Sequence, residues 1–347
     1  CCTHEHEHKH TEPPMFYTGF ADEAGTDIDT QIKATLELGW DKIESRHIDG
    51  TNIHDIDDAV FDEVCGKLED AGVSINCFGS AVANWGKDVR KPEDVQASFD
   101  ELRRALPRMQ RLGCKLIRGM SFAQAKDTAP DAPEIAAAVF KHVNELVKLC
   151  ADAGVVYGHE NCMNYGGLSC EHTLRLLDEV QPDSFTLIFD TANPVFSWDR
   201  RGEEPYHKQS SWDFYQAVKD HIGYVHIKDA VYVGETDGVF PKADFTFPGE
   251  GDGDVERIVA DLLANGYEAA SPWSRTWPWS STRTPPRTTP RPGPALCTRT
   301  TWSTASASWP SSTGSARPRP GHSRVLRERV WQPFRAGSDH KISFCGE

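Results

Sequence analysis

Four phrases in this chain repeat one instruction. "LELGW" (Leu36–Trp40), "LEDAGV" (Leu68–Val73), "MQRLGC" (Met109–Cys114) and "CADAGV" (Cys150–Val155) each finish a helix-period run, stop on a glycine and enter an apolar stretch. A glycine there supplies the left-handed backbone that ends a helix without a Cβ clash. Gly39, Gly72, Gly113, Gly154 and Gly266 hold that place. The spacing predicts strands at Phe16–Phe20, Lys42–Arg46, Ser74–Gly79, Lys115–Met120, Val155–Glu160, Thr186–Asp190 and Tyr224–Lys228. Between them it predicts helices near Asp29–Leu38, Asp57–Ala71, Pro92–Leu112, Ala132–Ala153, Glu171–Val180, Ser211–His221 and Val255–Asn265. Strict alternation dictates an α/β fold of parallel strands with right-handed crossovers. Seven such units imply an eighth if the sheet closes into a (β/α)8 TIM barrel. An open doubly wound sheet is the competing architecture. It advertises a glycine-rich turn after its first strand, and "GFADEAG" is not one.

A chain of 347 residues can bury a full core in one such domain. No apolar run approaches the roughly 18 residues of a membrane span, so no membrane partner is expected. No charged segment followed by an apolar one opens the chain, so no secretory signal is expected either. Ten cysteines lie scattered, mostly inside apolar segments, as thiols do when they pack cores in a reducing cytoplasm. The first fourteen residues carry His4, His6, His8 and His10 and no apolar pattern. They read as a disordered leader before Met15, with a metal-binding tract as the alternative.

The net charge of −15 hides a split. From Ser271 to Glu347, 12 Lys and Arg stand against 3 Asp and Glu; the remaining 270 residues hold 25 against 49. The acidic part argues against nucleic acid as a partner. The basic part begins where the eighth strand is due. Six of the ten Trp and eleven of the 22 Pro lie after residue 270, although disordered segments are poor in aromatics. One permitted set of codons for Ala270–Thr276, preceded by a G and read one base shifted, gives Gly-Ile-Ser-Met-Glu-Pro-His. The Trp codon has no freedom, and several Trp positions supply a needed Met or Val. Residues 270–347 thus read as an aberrant, unstructured tail: the eighth strand–helix unit translated out of frame. The barrel proper is expected over residues 15–269, with residues after 270 irregular or completing it only poorly, so that the facing edges of its first and seventh strands lack a full partner.

Functional groups of a parallel barrel sit at the carboxyl ends of its strands. The fifth strand ends "GHEN", with His159 and Glu160. The sixth ends "FDTANP", with Asp190, and the seventh "VHIKD", with His226 followed by Lys228 and Asp229. Two carboxylates and an imidazole on three consecutive strands suit a divalent ion such as Mn, Co, Mg or Zn. Taken singly, an Asp at a strand end is a helix N-cap. Elsewhere on the rim, Glu44 and Arg46 form a functional pair or a structural ion pair, and Arg118 can hold a substrate oxygen. The loop "FPGEGDGDV", with Gly249, Gly251 and Gly253, offers backbone amides to a phosphate, or is a mobile loop whose Asp254 caps the next helix. Trp85, Phe122 and Trp198 either wall a sugar ring or pack the core.

The set "HEN", "FDTANP", "VHIKD" and "FPGEGDGDV", with the out-of-frame Met-Glu-Pro-His, resembles the sugar phosphate isomerase/epimerase family. These are xylose isomerase-like TIM barrels that include ketose 3-epimerases, inosose dehydratase and, more distantly, endonuclease IV. The resemblance covers about Met15 to Glu268. It implies that Glu160, Asp190 and His226 are three of four metal ligands, with Glu160 also catalytic. It implies that the fourth, a Glu on the last strand that completes an acid/base pair, is missing. Arg118, His159, Asn193 and Lys228 are then the expected substrate contacts, with a small carbohydrate as substrate and a homo-oligomer as a possible assembly. Such a site forms an enediolate by Glu-mediated proton transfer and so isomerises or epimerises a sugar. Expelling a β-hydroxyl from the same enediolate is dehydration, and a non-catalytic sugar-binding barrel is the rival from another class. A phosphodiester hydrolase would need more histidines at the rim and a basic face.

Overall fold

The computed structural model describes residues 16–180, 184–234, 240–265, 267 and 295–298. Seven strands appear where the alternation predicts them: β1 (Phe16–Gly19), β2 (Lys42–Ser45), β3 (Ser74–Gly79), β4 (Leu116–Gly119), β5 (Val156–Glu160), β6 (Phe185–Asp190) and β7 (Ile222–Ile227). Seven helices follow them: α1 (Ile28–Glu37), α2 (Asp58–Ala71), α3 (Pro92–Leu112), α4 (Pro133–Asp152), α5 (Cys170–Glu179), α6 (Ser211–Val218) and α7 (Val255–Ala264). Gly39, Gly72, Gly113 and Gly154 all have φ between 65° and 72°, the left-handed stop the repeats called for. Gly266 lies outside the described residues.

After β7 the chain makes an antiparallel hairpin, β8 (Asp229–Gly234) and β9 (Lys242–Thr246), before α7. The sequence patterns predict no element between Lys228 and Val255. Four residues of the tail, expected to be irregular or to complete the barrel only poorly, stand in the seam between β1 and β7. Ala295–Thr298 forms a strand, β10, paired in parallel with both β1 and β7. The sheet order is β1-β10-β7-β6-β5-β4-β3-β2, and a parallel bridge between Phe20 and Glu44 brings its two ends together. A pair of facing strand edges presents two rows of unpaired N–H and C=O groups. A short extended segment satisfies both rows at once, whatever its side chains. The rest of the tail and the His-rich first fourteen residues lie outside the described residues.

Side-chain alternation divides the core. Cys77, Leu116, Val156, Ile188 and Tyr224 point into the barrel and cluster with Phe20. The opposite faces of the first five units pack a large cluster against α1 to α5, and those of β6 and β7 pack on α6 and α7. Six described cysteines, Cys65, Cys77, Cys114, Cys150, Cys162 and Cys170, are free thiols. Among the described residues, no helix is long and apolar enough to cross a membrane.

Candidate metal centre

Strand parity carries the barrel-interior face up to the rim. Two residues beyond inward-facing Leu116 stands Arg118. Four beyond Val156 stands Glu160, two beyond Ile188 stands Asp190, and two beyond Tyr224 stands His226. His226 pairs in register with Asp190 across the β6–β7 ladder. Gly158 lets the strands close below the site, because a Cβ there would come within 2.6 Å of Ile188.

Glu160, Asp190 and His226, all buried, each offer one ligand atom within 4.8 Å of the others. His226 Nδ1 is 3.2 Å from Glu160 Oε1 and 3.8 Å from Asp190 Oδ2. Asp190 caps backbone with one carboxylate oxygen and turns the other to the cluster. Its Oδ1 accepts the backbone N–H groups of Ala192 and Asn193 at 2.9 and 3.0 Å, as a helix cap does, and its Oδ2 faces the cluster. Asn161 clamps the same strand end, accepting from Asp190 N at 2.6 Å and donating to Asp190 O at 3.2 Å.

Three of the four expected substrate contacts join the cluster. Arg118 Nη1 is 3.6 Å from Glu160 Oε2. Asn193 Nδ2 donates to Glu160 Oε1 at 3.2 Å. Lys228 Nζ lies 3.1 Å from Asp190 Oδ2 and donates to Asn193 Oδ1 at 3.1 Å. Burial alone would raise the Glu160 pKa; Arg118, His226 and Lys228 outweigh it and hold the carboxyl well below the usual range. Glu160 is therefore an ionised acceptor at neutral pH.

His159 does not join them. As the neighbour of inward-facing Glu160 it points to the opposite side of the sheet, with its Nε2 3.0 Å from Ser121 Oγ and its ring beside Phe185. A Cβ on Gly166 would come within 2.4 Å of that ring. Burial pushes its pKa down to about 4, so it is a neutral, packed imidazole.

Two other rim expectations are corrected. Glu44 and Arg46 do not pair with each other. Arg46 Nε binds Asp22 Oδ2 at 2.7 Å, and its guanidinium lies 5.0 Å from the Phe20 ring, which carries Arg118 at 5.1 Å. Glu44 turns into the barrel, where its Oε2 accepts from Tyr224 Oη at 3.0 Å and lies 3.0 Å from His226 Nε2. The glycine loop is no phosphate cradle. Gly249, Gly251 and Gly253 all donate their N–H to the carboxylate of Asp229 at 2.8 to 2.9 Å, and a Cβ at Gly251 or Gly253 would strike Asp229 Oδ1. Asp254 stands at the start of α7 but makes no side-chain cap. Trp85, Phe122 and Trp198 form no common wall: Trp85 is 49% exposed, Phe122 is in the core, and Trp198 sits edge-on to Tyr232 of the hairpin.

The family of xylose isomerase-like TIM barrels matches residues 32–288, most of the chain. This chain belongs to that family. The inosose dehydratase of Geobacillus thermodenitrificans is 33% identical over 140 residues, 36% of this chain and 42% of that protein. Among solved structures, a xylose isomerase-like TIM barrel protein from Mycobacterium smegmatis in complex with magnesium has a TM-score of 0.54 at 15% identity, covering 83% of this chain and 90% of that one. D-allulose 3-epimerase from Methylomonas sp., with D-allulose, has a TM-score of 0.53 at 19% identity over 83% and 85%. These structures share the fold. The enzymes among the relatives span epimerases and dehydratases, and this chain carries a three-residue candidate metal centre.

Proposed function

We propose that this site is that of a metal-dependent sugar or sugar phosphate isomerase or epimerase, working through an enediolate and impaired in this chain. The observation that supports it is the convergence of Glu160, Asp190 and His226 from three neighbouring strands. Two hard carboxylate oxygens and one imidazole nitrogen fit Mn, Co, Mg or Zn. A divalent ion held by these three supplies polarisation of a sugar carbonyl, which acidifies the adjoining C–H.

The chain's own residues do the rest. Glu160, kept ionised by its cationic neighbours, takes the proton. Arg118 and Asn193 hold its two oxygens in place. Lys228 pairs with Asp190 at the same cluster. The second proton transfer, to the opposite face or the next carbon, needs another group. The closing strand β10 reads Ala-Leu-Cys-Thr and offers no carboxylate for it. Among the described residues the cluster therefore holds half of an acid/base pair.

Two other readings stay attached to named observations. The local likeness to inosose dehydratase favours loss of a β-hydroxyl from the same enediolate. The carboxylate missing from β10 favours a barrel that binds sugar without turnover. Incubating the protein with ketoses and inososes in D2O, with each metal and with chelator, separates the three. Metal-dependent deuterium uptake at the carbon beside the carbonyl supports the proposed reading. An enone product supports the dehydratase. Saturable sugar binding with no exchange and no product supports the binding barrel and defeats the proposal.

A further inference from the structure

His226 has two ring nitrogens, and only one faces the ligand cluster. Its Nδ1 lies against Glu160 and Asp190. Its Nε2 points down into the barrel, where Glu44 Oε2 waits at 3.0 Å. Glu44 is 0% exposed and sits on β2, far from β7 in the sheet order. It is not placed to be a ligand, because the imidazole ring separates it from the point shared by Glu160, Asp190 and Nδ1. The Glu44 carboxylate is itself held: Tyr224 Oη donates to the same oxygen at 3.0 Å, and Tyr224 Oη lies 3.0 Å from the Asn76 amide, which also touches Thr18 at 2.7 Å. The ring faces are fixed edge-on by Phe20 and Tyr224, at centroid distances of 5.1 and 5.5 Å.

We propose that Glu44 is the positioning residue of the centre: it binds the Nε2–H of His226 and so leaves the Nδ1 lone pair directed at the ion. The inference rests on the metal reading of the site given above. Its physical basis is general. A neutral imidazole carries one N–H, and the partner of that N–H decides which nitrogen is free to bind a metal. A carboxylate partner also makes the ligating nitrogen more basic. The chain uses a buried acid from across the barrel for this, and the Asn76–Tyr224 chain keeps that acid turned toward the ring.

The test uses the full chain and reads metal affinity rather than turnover. Calorimetric titration with Mn²⁺ and Zn²⁺ is run on the wild type, Glu44→Ala, Glu44→Gln and Tyr224→Phe. Losing such a partner weakens metal binding by roughly 10- to 100-fold, and that is the loss expected for Glu44→Ala. Glu44→Gln keeps a carbonyl acceptor for Nε2–H and recovers part of the affinity. It also carries the test if the alanine variant fails to fold. Tyr224→Phe leaves the acid in place and produces a smaller loss. In parallel, ¹⁵N-histidine NMR of the protein without metal looks for a slowly exchanging His226 Nε2–H, expected in the wild type and absent in Glu44→Ala. A well-folded Glu44→Ala or Glu44→Gln that binds both ions within twofold of the wild type overturns the proposal. If the wild type binds no divalent ion yet shows the protected Nε2–H, the metal reading falls and the Glu44–His226 clamp stands.

Discussion

Nδ1 of His226 lies 3.2 Å from Oε1 of Glu160, although 66 residues separate them in the chain. The contact joins strand ends β5 and β7 across β6, whose own Asp190 faces the same point. Arg118 and Lys228 supply two buried cations to this group.

Glu160 is the one carboxylate of the cluster not committed to capping backbone. Glu160→Gln should lower metal-dependent deuterium uptake into a ketose by roughly 10²–10⁴-fold, the usual size of a general base's contribution. Proton NMR of the substrate in D2O measures it. Exchange unchanged in the variant would remove Glu160 from the role of base.

The loop before α7 is tied down by one acid. Asp229 accepts four backbone N–H groups, those of Ala230, Gly249, Gly251 and Gly253. Leaving a buried donor unpaired costs about 1–3 kcal/mol each, so Asp229→Ala should destabilise the protein by about 3 kcal/mol or more. Urea unfolding measures the loss, and hydrogen exchange should show the three glycine amides deprotected. Inorganic phosphate should not raise the wild type's melting temperature through this loop, because its amides are already taken. A phosphate-dependent rise that Asp229→Ala abolishes would contradict that.

His54 sets a pH dependence of stability. Burial, ahead of Arg104, Lys87 and Arg108 and against the pull of Asp55, lowers its pKa from 6.5 to about 4. The unfolded chain takes up the proton first, so stability is complete above pH 6.5 and is lost as pH falls toward 4. At about 1.4 kcal/mol per unit the full loss is about 3 kcal/mol. His54→Gln should flatten the slope of unfolding free energy against pH across that window. A variant with the wild-type slope would assign the dependence elsewhere.

Rebuilding the chain from Ala270 in the shifted frame tests the out-of-frame reading of the tail, since it places Met-Glu-Pro-His where the sequence pattern calls for an eighth strand. Metal affinity and solubility should rise together, and turnover of a ketose by roughly 10²–10⁴-fold as the acid/base pair is completed. The comparison is made on the two purified proteins with the same metal and sugar panel. Turnover by the unrebuilt chain at an ordinary ~1–10³ per second would mean that the missing Glu was never needed.

The strand–helix alternation was legible because it is written locally. Glycine stops, β-branched runs and helix-period runs act within a dozen residues, and seven strands and seven helices stand within a few residues of where those patterns put them. Glu160, Asp190 and His226 were legible for a related reason: each closes a recognisable strand, and parallel strands bring their ends to one rim. The hairpin over Asp229–Thr246 was missed because its alternation is short and broken by polar residues.

By itself, then, the sequence determined the class of fold, the end of the barrel where Glu160, Asp190 and His226 gather and the residue types found there. Tertiary structure alone decided which way each side chain turns and what meets it. His159 and Glu160 are neighbours in the chain and lie on opposite sides of the sheet, because strand side chains alternate. Glu44 finds His226 across 182 positions, because barrel closure brings the second strand opposite the seventh. Asp229 fills the glycine loop that looked ready for a phosphate, because folding places a carboxylate there before any ligand arrives. Such partners are set by closure of the whole sheet, and no local pattern of residues encodes them.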